Sequence, residues 1–127
     1  MGHEIGKRFK FEAAHHLPGL PEGHKCRRPH GHGYAVEVVL TAGELTPPGF
    51  VTDFGDLAPF RAYLDRELDH RDLNEVVDFP PTSENLAAHL AGWFMTHVEP
   101  TILGRLVRVR VSETADTWAE YTPDRRP

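Results

Sequence analysis

The chain has 127 residues, 39% of them hydrophobic and 26% charged, with a formal net charge of −5. This describes one globular domain over residues 1–127 rather than a disordered segment, and the acidic balance argues against a nucleic-acid-binding surface, which needs a basic stripe. No apolar run reaches the roughly 18 residues of a membrane span. Residues 1–6 lack the apolar core of a signal peptide, and a lone cysteine rules out an internal disulfide, so the expected location is the cytoplasm.

Ile5–Ala14 reads as a first strand, in which Phe9, Phe11 and Ala13 alternate with Lys10, Glu12 and Ala14. Pro18-Gly19, Pro21 and Gly23 mark Leu17–Pro29 as a loop. Gly33–Ala42 is a second strand, with Val36, Val38 and Leu40 on one face. Thr46-Pro47-Pro48-Gly49 is a turn, and Phe50–Phe54 a short extended piece. Leu57, Phe60, Leu64 and Leu68 recur at helical spacing, so a first helix is expected over Asp56–Leu68, capped by Asp53 or Asp56.

His70–Pro81 reads as a long loop. Thr82 or Ser83 then caps a second helix, with Glu84 in its first turn and a stop near Pro100. Its apolar stripe is Leu86, Leu90, Trp93, Phe94 and His97 or Val98; His89 and His97 are read as partly buried or solvated, not as ligands. Leu106–Val111 is a third strand, Thr117–Thr122 a fourth and Asp124–Pro127 a tail. This order predicts an α+β fold, a four-stranded antiparallel sheet with both helices on one face. Two open sheet edges need protection, and pairing between subunits is one way to provide it, so an oligomer is expected.

The chemistry concentrates around Cys26-Arg27-Arg28-Pro29-His30-Gly31-His32. On a strand His30 and His32 point to the same face, and glycines 31 and 33 leave the surroundings open, so both imidazoles can reach one metal ion. A catalytic zinc site takes three protein ligands and keeps one position open; the third candidate is His15 or His16, at the end of the first strand. Cys26 suits a nucleophile or base beside that metal, within a local basic cluster of Lys25, Arg27 and Arg28. Asp69-His70 is a second constellation, a carboxylate placed to orient an imidazole, though it also fits a helix C-terminus with a dipole-favourable histidine. Glu113 closes the third strand and could accept two N–H donors from a flat heterocycle; alone, it also fits a solvent-facing strand end.

Phe11-Glu12-Ala13-Ala14-His15, Glu22-Gly23-His24-Lys25-Cys26, His30-Gly31-His32, Val51-Thr52-Asp53-Phe54, Leu68-Asp69-His70, Leu73-Asn74, Pro81-Thr82-Ser83-Glu84 and Ser112-Glu113-Thr114 occur in this order. Together they resemble the 6-pyruvoyltetrahydropterin synthase / 6-carboxytetrahydropterin synthase family, from about Phe9 to Tyr121. The resemblance implies a tunnelling fold whose sheets join into a barrel between subunits, a homohexamer (a dimer of trimers), and active sites at subunit interfaces. It implies zinc on His15, His30 and His32, Cys26 as proton acceptor, His70 with Asp69 as its relay, and Glu113 as anchor of a pterin ring. Thr82 and Ser83 would neighbour that ring, and Lys25 and Arg27 would contact a triphosphate.

Within the family, three residues between the cysteine and His-Gly-His mark the carboxy type of the queuosine pathway, and five the pyruvoyl type. Here there are three, so the expected substrate is 7,8-dihydroneopterin triphosphate and the expected product 6-carboxytetrahydropterin, with acetaldehyde and triphosphate released. The alternatives are the pyruvoyl-type reaction, which keeps the side chain, and a catalytically silent zinc-binding protein on the same scaffold. His16 stands where related sequences often carry arginine.

Overall fold

The computed structural model describes residues 2–125; the end of the expected tail, residues 126 and 127, lies outside them. The alternation of the first strand extends further than its pattern marks: β1 covers His3–His15 and β2 covers His30–Ala42, so His30-Gly31-His32 lies inside a strand. The two pair antiparallel along their whole length, from His3 opposite Ala42 to His15 opposite His30. Phe9, Phe11, Ala13, Tyr34, Val36, Val38 and Leu40 are buried on the face this register gives them.

A helical segment follows that changes width along its length. It opens as a 3-10 turn over Phe54–Leu57, capped by Asp53, whose Oδ1 accepts the Gly55 amide at 2.9 Å. It continues as helix α1, Ala58–Tyr63, and widens to π geometry over Leu64–Leu68, where the Asp69 amide reaches back to the Leu64 carbonyl at 2.9 Å. Leu57, Phe60, Leu64 and Leu68 are all buried, and Phe60 meets Phe9 edge-on with ring centroids 5.2 Å apart.

The segment expected as one long loop holds two short elements: strand β3, Arg71–Asp72, and the single turn α2, Leu73–Val76. Asp72 caps that turn through the Asn74 amide at 3.1 Å, a local Asx bond too short in range to leave a periodic pattern. The long helix α3, Ser83–His97, is capped by Thr82, whose Oγ1 accepts the Asn85 amide at 3.1 Å. Its buried stripe is Leu86, Ala87, Leu90, Ala91 and Phe94, with Val98 just beyond. Trp93 is only half-buried because it lies on the flank, stacked between Tyr63 at 4.0 Å and His97 at 4.6 Å.

Strand β4 covers Arg105–Ser112 and β5 only Ala119–Tyr121, shorter than expected. Leu106 and Val109 are both buried although three residues apart, which a regular strand forbids. A β-bulge reconciles them: Val39 pairs with Arg108 and Leu40 with Leu106, so Val107 is the extra residue. The sheet order is β3-β1-β2-β4-β5, five strands rather than four, and β3 runs parallel to β1. Both edge strands are very short, of two and three residues. The class is α+β with the helices on one face. The other face carries ion pairs, among them Arg8–Glu37 at 3.1 Å and Arg110–Glu120 at 2.6 Å. No helix in the described residues is long and apolar enough to cross a membrane.

Candidate active site

The parity that buries Phe9 and Phe11 also sends His15 inward, and the parity that buries Val36 and Tyr34 does the same for His32 and His30. Because His15 pairs directly with His30, the three rings meet at one end of the sheet, with centroids 4.5, 4.8 and 5.0 Å apart. Ala13, opposite His32, is small enough to leave the rings room. Their nearest ring nitrogens all lie within 4.8 Å of one another, so the triad is able to hold a metal ion.

Hydrogen bonds orient two of these rings. His15 Nδ1 lies 2.7 Å from the Pro81 carbonyl and His30 Nδ1 2.7 Å from the Arg28 carbonyl. A carbonyl only accepts, so both Nδ1 atoms donate, and in the neutral ring each Nε2 is the nitrogen with the free lone pair. Four buried side-chain polar atoms among the described residues lack a hydrogen-bond partner, and His15 Nε2, His32 Nε2 and the Tyr34 hydroxyl are three of them. Burial lowers the His32 pKa, against the raising effect of Glu113, and the other two histidines lower it further. A neutral imidazole with an unpaired buried nitrogen is what a metal requires, so the residues present fit such an ion.

Glu113, one residue past β4, faces the triad. Its carboxylate lies 3.9 Å from His15 Nε2 and 3.6 Å from His32 Nε2, too far for hydrogen bonds but close enough for its charge to act. Burial, and after it the Glu113 charge, push the Tyr34 phenol up. Glu113 also lines a cavity of about 600 Å³ with Thr82, Ser83, Leu17 and Trp118. The structure thus places Thr82 and Ser83 around the same space as Glu113.

Asp69 and His70 sit at the other side of β1. Asp69 Oδ1 accepts the Glu12 amide at 2.9 Å, and Asp69 Oδ2 lies 2.9 Å from His70 Nδ1. His70 adopts a left-handed backbone, φ 58°, a costly conformation for a non-glycine residue that aims its exposed ring outward. Its pKa is raised by the Asp69 hydrogen bond and charge, and that of Asp69 is lowered by the Glu12 amide and by His70. His70 shares a second cavity of about 600 Å³ with Glu12, Ala14, Gly31, Gly33 and His32, so the relay histidine and one histidine of the triad line the same space.

Cys26 is half-buried on a 3-10 turn, Lys25–Arg27, whose flanking Lys25 and Arg27 are exposed. The Cys26 carbonyl accepts the Leu17 amide at 2.8 Å, closing the base of the loop just past His15. Neither Cys26, Lys25 nor Arg27 lines the two cavities above, and no hydrogen bond joins Cys26 to His70 among the described residues.

One supporting residue has no functional reading in the sequence beyond its place in the Leu73-Asn74 motif. Asn74 Oδ1 accepts the His16 amide at 2.9 Å, and Asn74 Nδ2 donates to the His16 carbonyl at 3.0 Å. This clamp holds the backbone next to His15. His16 itself, the departure from the family pattern, stands outside the triad.

The sheet, its helical cover and the histidine cluster define a tunnelling-fold domain able to bind a metal. The family profile described as 6-pyruvoyl tetrahydropterin synthase matches residues 4–124, and the chain belongs to that family, whose members are enzymes of pterin biosynthesis acting on small pterin substrates. It is 39% identical to the putative 6-carboxy-5,6,7,8-tetrahydropterin synthase of Archaeoglobus fulgidus, over 91% of this chain and 92% of that one. It is 38% identical to the 6-carboxy-5,6,7,8-tetrahydropterin synthase of Synechocystis, over 92% and 91% of the two chains. Among solved structures, the 6-pyruvoyl tetrahydropterin synthase of Caenorhabditis elegans superposes with a TM-score of 0.82 at 27% identity, over 98% of this chain and 97% of that one.

Proposed function

We propose that the chain is a zinc-dependent 6-carboxy-5,6,7,8-tetrahydropterin synthase, converting 7,8-dihydroneopterin triphosphate and one water to 6-carboxytetrahydropterin with release of acetaldehyde and triphosphate. The observation that carries the subgroup is the spacing of three residues, Arg27-Arg28-Pro29, between Cys26 and His30. The relatives at 38–39% identity support it by their names.

In this reading His15, His30 and His32 hold zinc, which when bound supplies a Lewis acid for the substrate's side-chain oxygens. Glu113 accepts the N–H edge of the pterin ring in the cavity it shares with Thr82 and Ser83. Cys26, as thiolate, removes a proton from the side chain, and the exposed cations Lys25 and Arg27 meet the triphosphate. His70, held by Asp69, handles the second proton transfer. No hydrogen bond joins Cys26 to His70 among the described residues and the two line no common cavity, which favours a homohexamer with active sites completed between subunits. The setting is cytoplasmic, and the product enters the queuosine pathway or another 7-deazapurine pathway.

The pyruvoyl-type reaction is the second reading, favoured by the description of the family and by the solved Caenorhabditis elegans relative. Incubating the zinc-loaded protein anaerobically with 7,8-dihydroneopterin triphosphate and weighing the product separates them. A 6-carboxytetrahydropterin product is expected. A 6-pyruvoyl product overturns the subgroup and keeps the site, and no turnover with zinc bound overturns both readings.

A further inference from the structure

A metal accounts for the unpaired nitrogens of His15 and His32 but not for the third unpaired atom of the cluster. Tyr34 is 1% exposed, and its hydroxyl has no hydrogen-bond partner among the described residues. Its ring stacks on Phe11 with centroids 5.0 Å apart and meets His32 edge-on at 5.5 Å and His15 at 5.9 Å. Phenylalanine would fill the same space without the desolvation cost of an unpaired hydroxyl.

A phenol hydroxyl carries a proton to donate, so what it lacks is an acceptor. Glu113, whose charge acts on Tyr34, is turned to the histidine nitrogens and makes no hydrogen bond with the hydroxyl. An oxygen bound beside the triad would supply that acceptor.

We propose that the Tyr34 hydroxyl donates a hydrogen bond to an oxygen that the substrate presents at the histidine cluster, making Tyr34 a substrate-positioning residue. This rests on the metal-assisted reading of the site above, but not on the identity of the pterin.

The test compares wild type with Tyr34→Phe, both loaded with Co(II) and titrated with acetohydroxamate, an oxygen-donor probe, following the visible absorption of the ion. Tyr34→Phe is expected to melt at or above the wild-type temperature and to bind Co(II) equally well, yet to bind acetohydroxamate about tenfold more weakly, the loss of one hydrogen bond. Equal acetohydroxamate affinities overturn the proposal. So does a Tyr34→Phe protein that fails to fold or loses Co(II), because the hydroxyl would then have its partner inside the protein. Turnover of 7,8-dihydroneopterin triphosphate is assayed in parallel. If wild type is inactive on it while the acetohydroxamate difference persists, the functional reading falls and the role of Tyr34 stands. If wild type is active and the two proteins bind acetohydroxamate alike, the reverse holds.

Discussion

His15 and His30 are a directly opposed cross-strand pair, their ring centroids 4.5 Å apart and each Nδ1 bonded to a carbonyl of a different loop. Strand register brings the two rings together, and the loop carbonyls fix how they turn. His30→Ala should leave the strand pairing intact, since His30 is only partly buried. It should weaken Zn(II) binding more than roughly 100-fold, beyond the loss typical of a supporting residue. Competition with a chromogenic chelator measures this; a change under tenfold would remove His30 from the ligand set.

Asn74 spans both backbone polar groups of His16. Truncation to alanine leaves a partly buried amide and carbonyl unpaired, a cost of about 1–3 kcal/mol. Urea unfolding of Asn74→Ala should show that loss. Metal affinity should fall with it, because the backbone next to His15 is released. Unchanged affinity in a destabilised protein would confine the clamp to a structural role.

His70 should titrate above its ordinary 6.5, raised first by the Asp69 hydrogen bond and then by the Asp69 charge. A raised histidine stabilises the fold fully below its unfolded pKa, and that contribution is lost as pH climbs through the folded one. The stability gap between wild type and Asp69→Asn should therefore close as pH rises past the His70 midpoint. It should close again in acid, as Asp69, whose pKa is depressed by the Glu12 amide and by His70, takes up its proton. An NMR titration of the imidazole should place the Asp69→Asn midpoint below that of wild type.

Glu99 ties the C-terminal segment to the sheet. Its two oxygens meet Arg125 Nη1 and Nη2 at 2.7 and 2.6 Å, and Oε2 also accepts the Leu106 amide at 2.8 Å. Burial works to raise its pKa, but the Arg125 and Leu106 bonds, with the charges of Arg125 and Arg105, outweigh it and hold the carboxyl low. A depressed carboxylate contributes stability above its unfolded pKa and loses it as pH falls through the folded value. Glu99→Gln should cost about 1 kcal/mol near neutrality and nothing in acid. Equal penalties at both pH values would show that packing, not charge, is responsible.

The local signals were legible where a periodic pattern is long. Alternation from Phe9 to Ala13 and from Val36 to Leu40 marks two strands and their inner face, and Leu57, Phe60, Leu64 and Leu68 mark the first helix, since burial on one face imposes those periods. The adjoining histidines continue the same parity, so their common face follows from the sequence as well. What short range cannot encode was hidden. Strand β3 and the turn α2 are too brief to repeat anything, and their stability comes from β1 and from Asp72. The bulge at Val107 shows only as a broken alternation until its partner Leu40 is known.

Along β1 and β2 the sequence by itself determined which residues point inward, because side-chain direction alternates along a regular strand. Only the tertiary structure decided which of them meet. His15 joins His30 through a register set over thirteen pairs, and Glu113 reaches the triad from the far end of β4. Asp69 and His70 instead dock on Glu12 at the opposite edge. These contacts link residues 15, 57 and more than 80 positions apart in sequence, and only the packing of sheet and helices brings such distant groups together.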